Sequence, residues 1–221
     1  AREFGLGAPV GFPLQGEKEG VIPSRAWKRE RFNAPWYGGE TVIAAIGQGF
    51  VLSTPIQLAV MTAALANGGD VYRPQIIRRI ENWDGDILLQ TEPELVRRAE
   101  FSDNAWSLVR QGLVAAVNEA HGTGWAAHLD TVTVAGKTGT SQVVRRKSDE
   151  EEELAAEEQQ EVPYRFRPHA LFVAYAPADD PQIAVAVVVE HGQHGGSAAG
   201  PIAKAIFKEY HRLQKDGEKE K

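Results

Sequence analysis

The chain contains no cysteine and a single methionine in 221 residues. Without thiols there is no disulfide framework and no thiolate metal site, and both oxidising and reducing compartments stay open. Long apolar runs are missing too. The longest, Ile183 to Val189, falls far short of the roughly 20 residues that span a bilayer, and the opening AREFGLG lacks the charged-then-apolar order of a secretory signal. Basic charge is in deficit: 24 Lys and Arg face 30 Asp and Glu, for a formal net charge of −6. That balance argues against non-specific nucleic-acid binding. What is present, 43% hydrophobic and 24% charged residues, is the make-up of a globular chain able to bury a core.

Residues 1–40 are rich in glycine and proline and read as loops and turns laid over other parts of the molecule, which leaves part of the domain expected upstream of Ala1. From Thr54 the signals change. Thr54 can cap, Pro55 suits the first helical position, Gln57 completes a capping box and Asn67-Gly68-Gly69 supplies a stop. STPIQLAVMTAALANGG therefore predicts a helix, and its nearly unbroken apolar and small residues predict burial on most sides. VYRPQIIRRIEN and DILLQ flank Asp84-Gly85 and predict a hairpin. Ser102 opens a second helix to about Asn118, with Trp106, Val109, Leu113 and Val117 on one stripe.

His121-Gly122-Thr123-Gly124 reads as a turn. Strands are predicted at Val132 to Lys137, Ala170 to Ala174 and Ile183 to Val189, the last two forming an antiparallel pair across the turn-rich APADDP. Pro201 to Leu213 predicts an amphipathic helix with Ile202, Ile206 and Tyr210 facing one way. The chain divides into a domain portion, 1–213, and a polar tail, 214–221, expected to fray. Residues 145–165 turn from basic to densely acidic and read as a charged surface insertion, with a docking surface for a basic partner as the alternative.

The stretch TVTVAGKTGTSQVV, Thr131 to Val144, carries chemical content. K-T-G alone is a short match, and most such lysines simply end a strand beside a turn glycine. Here the motif ends a predicted strand and precedes two more strands and a C-terminal helix. That is the setting it has, alongside S-x-x-K and S-D-N, in serine acyltransferases that react with β-lactams. The roles are separable. Period-two geometry sets the Thr138 and Thr140 hydroxyls on one side, where together they can hold a carboxylate. Gly139 removes the side chain that would keep a peptide from lying along the strand. The Thr140 N–H is then placed to stabilise an oxyanion. Lys137 supplies positive charge to draw in an anion and to assist proton movement near serine hydroxyls.

Taken together, Gly47-Gln48-Gly49, Thr54-Pro55 with Gln57, Lys137 to Gln142, HALFVAYAP, PQIAVAVVVEHG and GGSAAGP resemble the C-terminal part of a class B penicillin-binding protein of the cell-elongation (penicillin-binding protein 2) type. The resemblance runs from about Phe4 to Leu213; the acidic block 149–162 is the main segment outside it. It implies an α/β fold of α+β type, shared by penicillin-binding proteins and serine β-lactamases, in which helices flank a five-stranded antiparallel sheet. Of that sheet this chain would hold the last three strands, with the N-terminal part of the domain missing. It also implies a D,D-transpeptidase that cross-links peptidoglycan stem peptides through a serine acyl-enzyme and is trapped by β-lactam antibiotics. On this resemblance Lys137 belongs to the third catalytic motif, and Thr138, Gly139, Thr140, Ser141 and Gln142 form the substrate-binding wall. No cofactor and no metal are implied. The implied location is the extracytoplasmic face of the membrane, on an N-terminal anchor, beside a glycosyltransferase partner of the elongation machinery.

The nucleophile is not in this sequence. None of Ser24, Ser53, Ser102, Ser107, Ser141, Ser148 and Ser197 has lysine three residues on. Ser102-Asp103-Asn104 spells S-D-N, but it precedes Lys137 by only 35 residues and opens a helix, so it reads as an N-cap. Faces such as Trp106 with Leu113 are then expected to be exposed or covered by another polypeptide. Two alternatives stand beside the transpeptidase: a serine β-lactamase-like hydrolase, for which no segment supplies a deacylating base, and a non-catalytic binding or scaffold module. His191 and His194 with His169 lack a carboxylate of metal-site geometry and read as rim residues.

Overall fold

The computed structural model describes residues 1–143 and 163–219, so nearly all of the charged insertion lies outside the described residues. Three helices come first: α1 (Arg25–Phe32), α2 (Gly38–Ala45) and α3 (Pro55–Asn67). The stretch expected to be loops alone thus carries helix α1 and the start of α2. Ser24 caps α1 by accepting from the Trp27 N–H at 3.1 Å. The Glu40 carboxylate accepts from the Tyr37 N–H at 2.8 Å at the start of α2 and pairs with the buried Lys28 of α1. That pair joins two short helices whose composition gives little sign of either. In α3 Thr54 and Gln57 form the expected capping box, and Gly68, at φ 90°, ends the helix.

Gln57 does more than cap. Fully buried, it donates through Nε2 to the carbonyls of Ala8 at 2.7 Å and Glu19 at 2.8 Å, while its Oε1 accepts from the Thr54 N–H. The N-terminal loops are thereby fastened to α3, and Phe4 and Val10 pack on Val60, Ala64 and Val71.

Two small antiparallel ladders follow. β1 (Asp70–Tyr72) pairs with β4 (Leu95–Arg98), and β2 (Arg79–Glu81) pairs with β3 (Ile87–Gln90) as the hairpin predicted around Asp84-Gly85. Helix α4 (Asp103–Asn118) starts where Ser102 accepts from the Ala105 N–H. Its inward stripe differs from the predicted one. Val109 is exposed, and Arg110 takes the inward place, donating to the Ala66 carbonyl at 2.9 Å. Trp106 and Leu113 are each half-buried by this chain itself, the first against Phe4 and Phe101 and the second beside Tyr175.

The principal sheet is antiparallel in the order β5 (Ala135–Ser141), β6 (His169–Ala176), β7 (Ile183–Val189). β5 begins three residues later than the alternation at 132–137 predicts, because the carbonyl of Thr133 is taken by the Ala178 N–H and that of Val134 by the Asn118 side chain. It also runs on past Lys137, so the K-T-G motif lies inside the strand instead of ending it. Seven residues pair with β6, from Ala135↔Tyr175 to Ser141↔His169.

Each face of this sheet is covered. Phe172, Ala174 and Val187 pack with Val117, Ala127, Ala199, Ala203 and Phe207 on one side, while Ala135 and Tyr175 pack with Ala66, Leu113 and Val114 on the other. Burying Phe172 and Phe207 contributes roughly 1.5–3 kcal/mol each. The last helix, α5 (Gly200–Lys219), buries Ala203 and Phe207 instead of the predicted Ile202 and Ile206, which stay substantially exposed. It also passes Leu213 to Lys219, so residues 214–219 are helical and not a frayed tail. Arg212 bridges Glu209 one turn before and Asp216 one turn after, which favours that continuation.

Candidate active site

The candidate site is the outer edge of β5. β6 pairs with one side of the strand, and among the described residues no strand pairs with the other. In an antiparallel ladder, alternate residues direct both N–H and C=O away from the partner. Two contacts identify which residues these are: the Thr138 carbonyl accepts from the Lys137 ammonium at 2.7 Å, and the Thr140 carbonyl accepts from the Gln48 carboxamide at 2.8 Å. Thr138 and Thr140 thus present their backbone groups along the open edge.

Their side chains share one face, opposite Phe172 and Ala170 in the register, while Lys137, Gly139 and Ser141 share the other with Val173, Leu171 and His169. Lys137 is exposed and curls back along the edge, so that its Nζ also lies 3.3 Å from the Thr138 hydroxyl. The Thr138 hydroxyl in turn is 3.1 Å from that of Thr123, in the turn before the short 3-10 helix Trp125–Ala127. Ser141 is the exposed last residue of β5, and Gln142, also exposed, follows it.

Three further features position this edge. Gly47 and Gly49, at φ 75° and 72°, close α2 so that Gln48 reaches β5. The π-helical turn Gly195–Ala199 presses glycine backbone on the strand: a Cβ on Gly195 would collide with the Leu171 carbonyl and the Gly139 backbone, and one on Gly196 with the Thr123 carbonyl. His169 accepts through Nδ1 from the His191 N–H at 2.9 Å, and His191 Nδ1 lies 3.0 Å from the Arg167 carbonyl. These two histidines tie the loop after β7 to the start of β6, at the level of Ser141. Cavities of 410 and 660 Å³ lie away from this edge, around Val132, Pro177, Asp180 and His211.

Lys137 to Gln142 were legible as a motif. Gln48 was marked only as part of a resemblance, and Thr123 only as a turn residue. Neither local pattern reveals that the folded chain brings them to β5. Spacing between Thr123 and Thr138, which are 15 residues apart, carries no period that links them.

Comparison with known proteins agrees with this architecture. The model of the penicillin binding protein transpeptidase domain matches residues 1–208. The peptidoglycan D,D-transpeptidase MrdA of Haemophilus influenzae is 36% identical over 212 residues, which cover 95% of this chain and 31% of that protein. Among solved structures, Pseudomonas aeruginosa PBP2 in complex with WCK 5153 superposes with a TM-score of 0.74 at 38% identity, covering 95% of this chain and 42% of that one. The Helicobacter pylori complex between PBP2 and MreC gives a TM-score of 0.75 at 30% identity, covering 96% and 35%. The chain spans about a third of the length of the curated relatives it matches, 31% and 32% in two of them. The fold is that of the penicillin-binding transpeptidases, antiparallel sheets with flanking helices, and the chain belongs to the penicillin-binding protein transpeptidase-domain family.

Proposed function

We propose that this chain supplies the substrate-binding wall of a peptidoglycan D,D-transpeptidase. The observation that carries the reading is the free edge of β5, where the exposed Lys137 ammonium, the Thr138 and Thr140 hydroxyls and the outward Thr140 N–H stand together. A stem peptide ending in D-Ala-D-Ala adds to this edge as an extra strand. Thr138 and Thr140 hold its terminal carboxylate, Gly139 leaves room for its backbone, and Ser141 and Gln142 continue the wall. The Thr140 N–H donates to the oxyanion, and Lys137 offsets negative charge and assists proton movement.

The nucleophile of this reaction is a serine of an S-x-x-K segment outside residues 1–221. Its Oγ bonds to the penultimate D-Ala carbonyl carbon and the peptide C–N bond breaks. D-Ala leaves with a proton, and an amine of a neighbouring strand then takes the acyl group and frees the serine. β-Lactams acylate the same serine. Relatives named for MrdA support an elongation role. The reading places the protein on the extracytoplasmic face of the membrane, with a membrane glycosyltransferase as partner, and the Helicobacter PBP2 solved with MreC shows that a relative engages another protein.

The test is labelling of the product of the complete reading frame that contains this chain with a fluorescent penicillin, followed by intact mass. A stable one-to-one acyl-enzyme, lost in K137A, is expected. No adduct, or rapid turnover of nitrocefin, overturns the transpeptidase reading.

A further inference from the structure

Donor counting along the hydroxyls beside Lys137 leads to a residue that no sequence motif marks. The Lys137 ammonium only donates, so the Thr138 hydroxyl oxygen accepts from it at 3.3 Å. Thr138 then has its own proton to place, and the Thr123 hydroxyl, 3.1 Å away, receives it. Thr123 in turn holds a hydroxyl proton with no acceptor among the described residues, and Thr123 is exposed. The chain of donors therefore runs Lys137, Thr138, Thr123 and ends at an exposed residue.

The position of Thr123 is built. Its turn is closed by the Gly122 N–H donating to the Glu119 carbonyl and the Gly124 N–H donating to the Ala116 carbonyl, each at 2.8 Å. From the other side Gly196 packs on the Thr123 carbonyl and near the Thr138 methyl, a fit that only a glycine permits. With its backbone fixed on two sides and its hydroxyl tied to Thr138, Thr123 donates at a smaller ordering cost than a free side chain.

We propose that Thr123 is a further substrate-binding residue, donating its hydroxyl proton to the terminal carboxylate of the acyl donor beside Thr140, so that Thr138, whose single proton Thr123 receives, acts on the carboxylate through Thr123; this rests on the transpeptidase reading above. With the ammonium as first donor, each hydroxyl in the chain is polarised by the one before it, which strengthens the last bond to an anion. Specificity follows from the same geometry. A ligand lacking the carboxylate leaves the terminal hydroxyl without an ionised acceptor and loses the charge-assisted bond.

The test compares acylation of the complete-reading-frame protein by benzylpenicillin and by its methyl ester, reading second-order rate constants from time-resolved intact mass. The parent prefers the carboxylate form. In T123V, which keeps the shape and removes the hydroxyl, the acid-to-ester rate ratio is expected to fall roughly tenfold or more, the worth of a hydrogen bond to a charged group. T123S is expected to restore it. The ester rate reports folding in each variant, and T123A carries the same comparison should T123V not fold. An unchanged ratio in T123V or T123A, with a parent that labels normally, overturns the role of Thr123 alone. A parent that does not label overturns the transpeptidase reading and this one with it.

Discussion

The Gln48 carboxamide donates to the Thr140 carbonyl at 2.8 Å, across 92 residues of chain. It links the glycine-flanked turn after α2 to the open edge of the strand that carries the motif. One exposed bond of this kind is worth about 0.5–1.5 kcal/mol. β5 is already held by pairing with β6, so the turn depends on the bond more than the strand does. In Q48A, hydrogen exchange at residues 46–50 is expected to quicken while β6 and β7 keep their protection. Unchanged exchange at 46–50 would show that the contact does not hold the turn.

Gln57 presents a larger loss. Its buried carboxamide satisfies two loop carbonyls and one N–H, and Q57A leaves all three without that partner beside a new cavity. Destabilisation of about 2–4 kcal/mol is expected by urea denaturation. T54A, which loses only the cap, is expected to cost about 1 kcal/mol. Equal effects of the two variants would contradict the account.

Tyr175 makes the opposite case. Its hydroxyl is buried with no hydrogen-bond partner among the described residues, a cost without a return. Y175F is expected to gain about 1 kcal/mol or to be neutral. Burial pushes the phenol above its ordinary value, and the nearby Arg110 charge only partly opposes this. A raised value means that the folded state keeps its proton while the unfolded chain ionises. The associated stability is therefore complete below a pH of about 10 and is lost as pH climbs from there through the folded value. Y175F is expected to flatten that alkaline fall in a pH series of melting curves. A steeper fall in the variant would reverse the sign assigned here.

Gly195 sets the fit between the π-helical turn and β5. An alanine there meets carbonyl and amide atoms that cannot yield as a flexible side chain does. G195A is expected to destabilise by about 1–3 kcal/mol, measured by thermal melting. In the complete protein it should also slow penicillin labelling, because the turn lies on Gly139. Wild-type melting in G195A would mean that the turn moves aside at no cost.

The legible parts of this fold are those whose signals are local. Thr54, Pro55, Gln57 and Gly68 announced α3, Ser102 announced the start of α4, and Asp84-Gly85 announced the hairpin, because caps and turns are settled within a few residues. The fold class followed from the family resemblance carried by several motifs together, and the family comparison agrees with it. What stayed hidden is settled at a distance. Helices α1 and α2 rest on the Lys28–Glu40 pair, and α2 opens on Gly38-Gly39, residues that discourage a helix. The inward place of Arg110 depends on the Ala66 carbonyl, and the buried face of α5 depends on where Phe172 lies. The shift of β5 toward Ser141 depends on Asn118 and Ala178 taking carbonyls that a ladder would have used.

Because Gln57 reads its loops only through the carbonyl oxygens of Ala8 and Glu19, it is indifferent to what side chains stand there. Substitution at positions 8 and 19 leaves both acceptors in place, whereas no other side chain at 57 offers the same reach with a donor and an acceptor at its tip. Tolerance to change at positions 8 and 19 is thus written at a position far from them in sequence, and one helical residue carries the constraint for both.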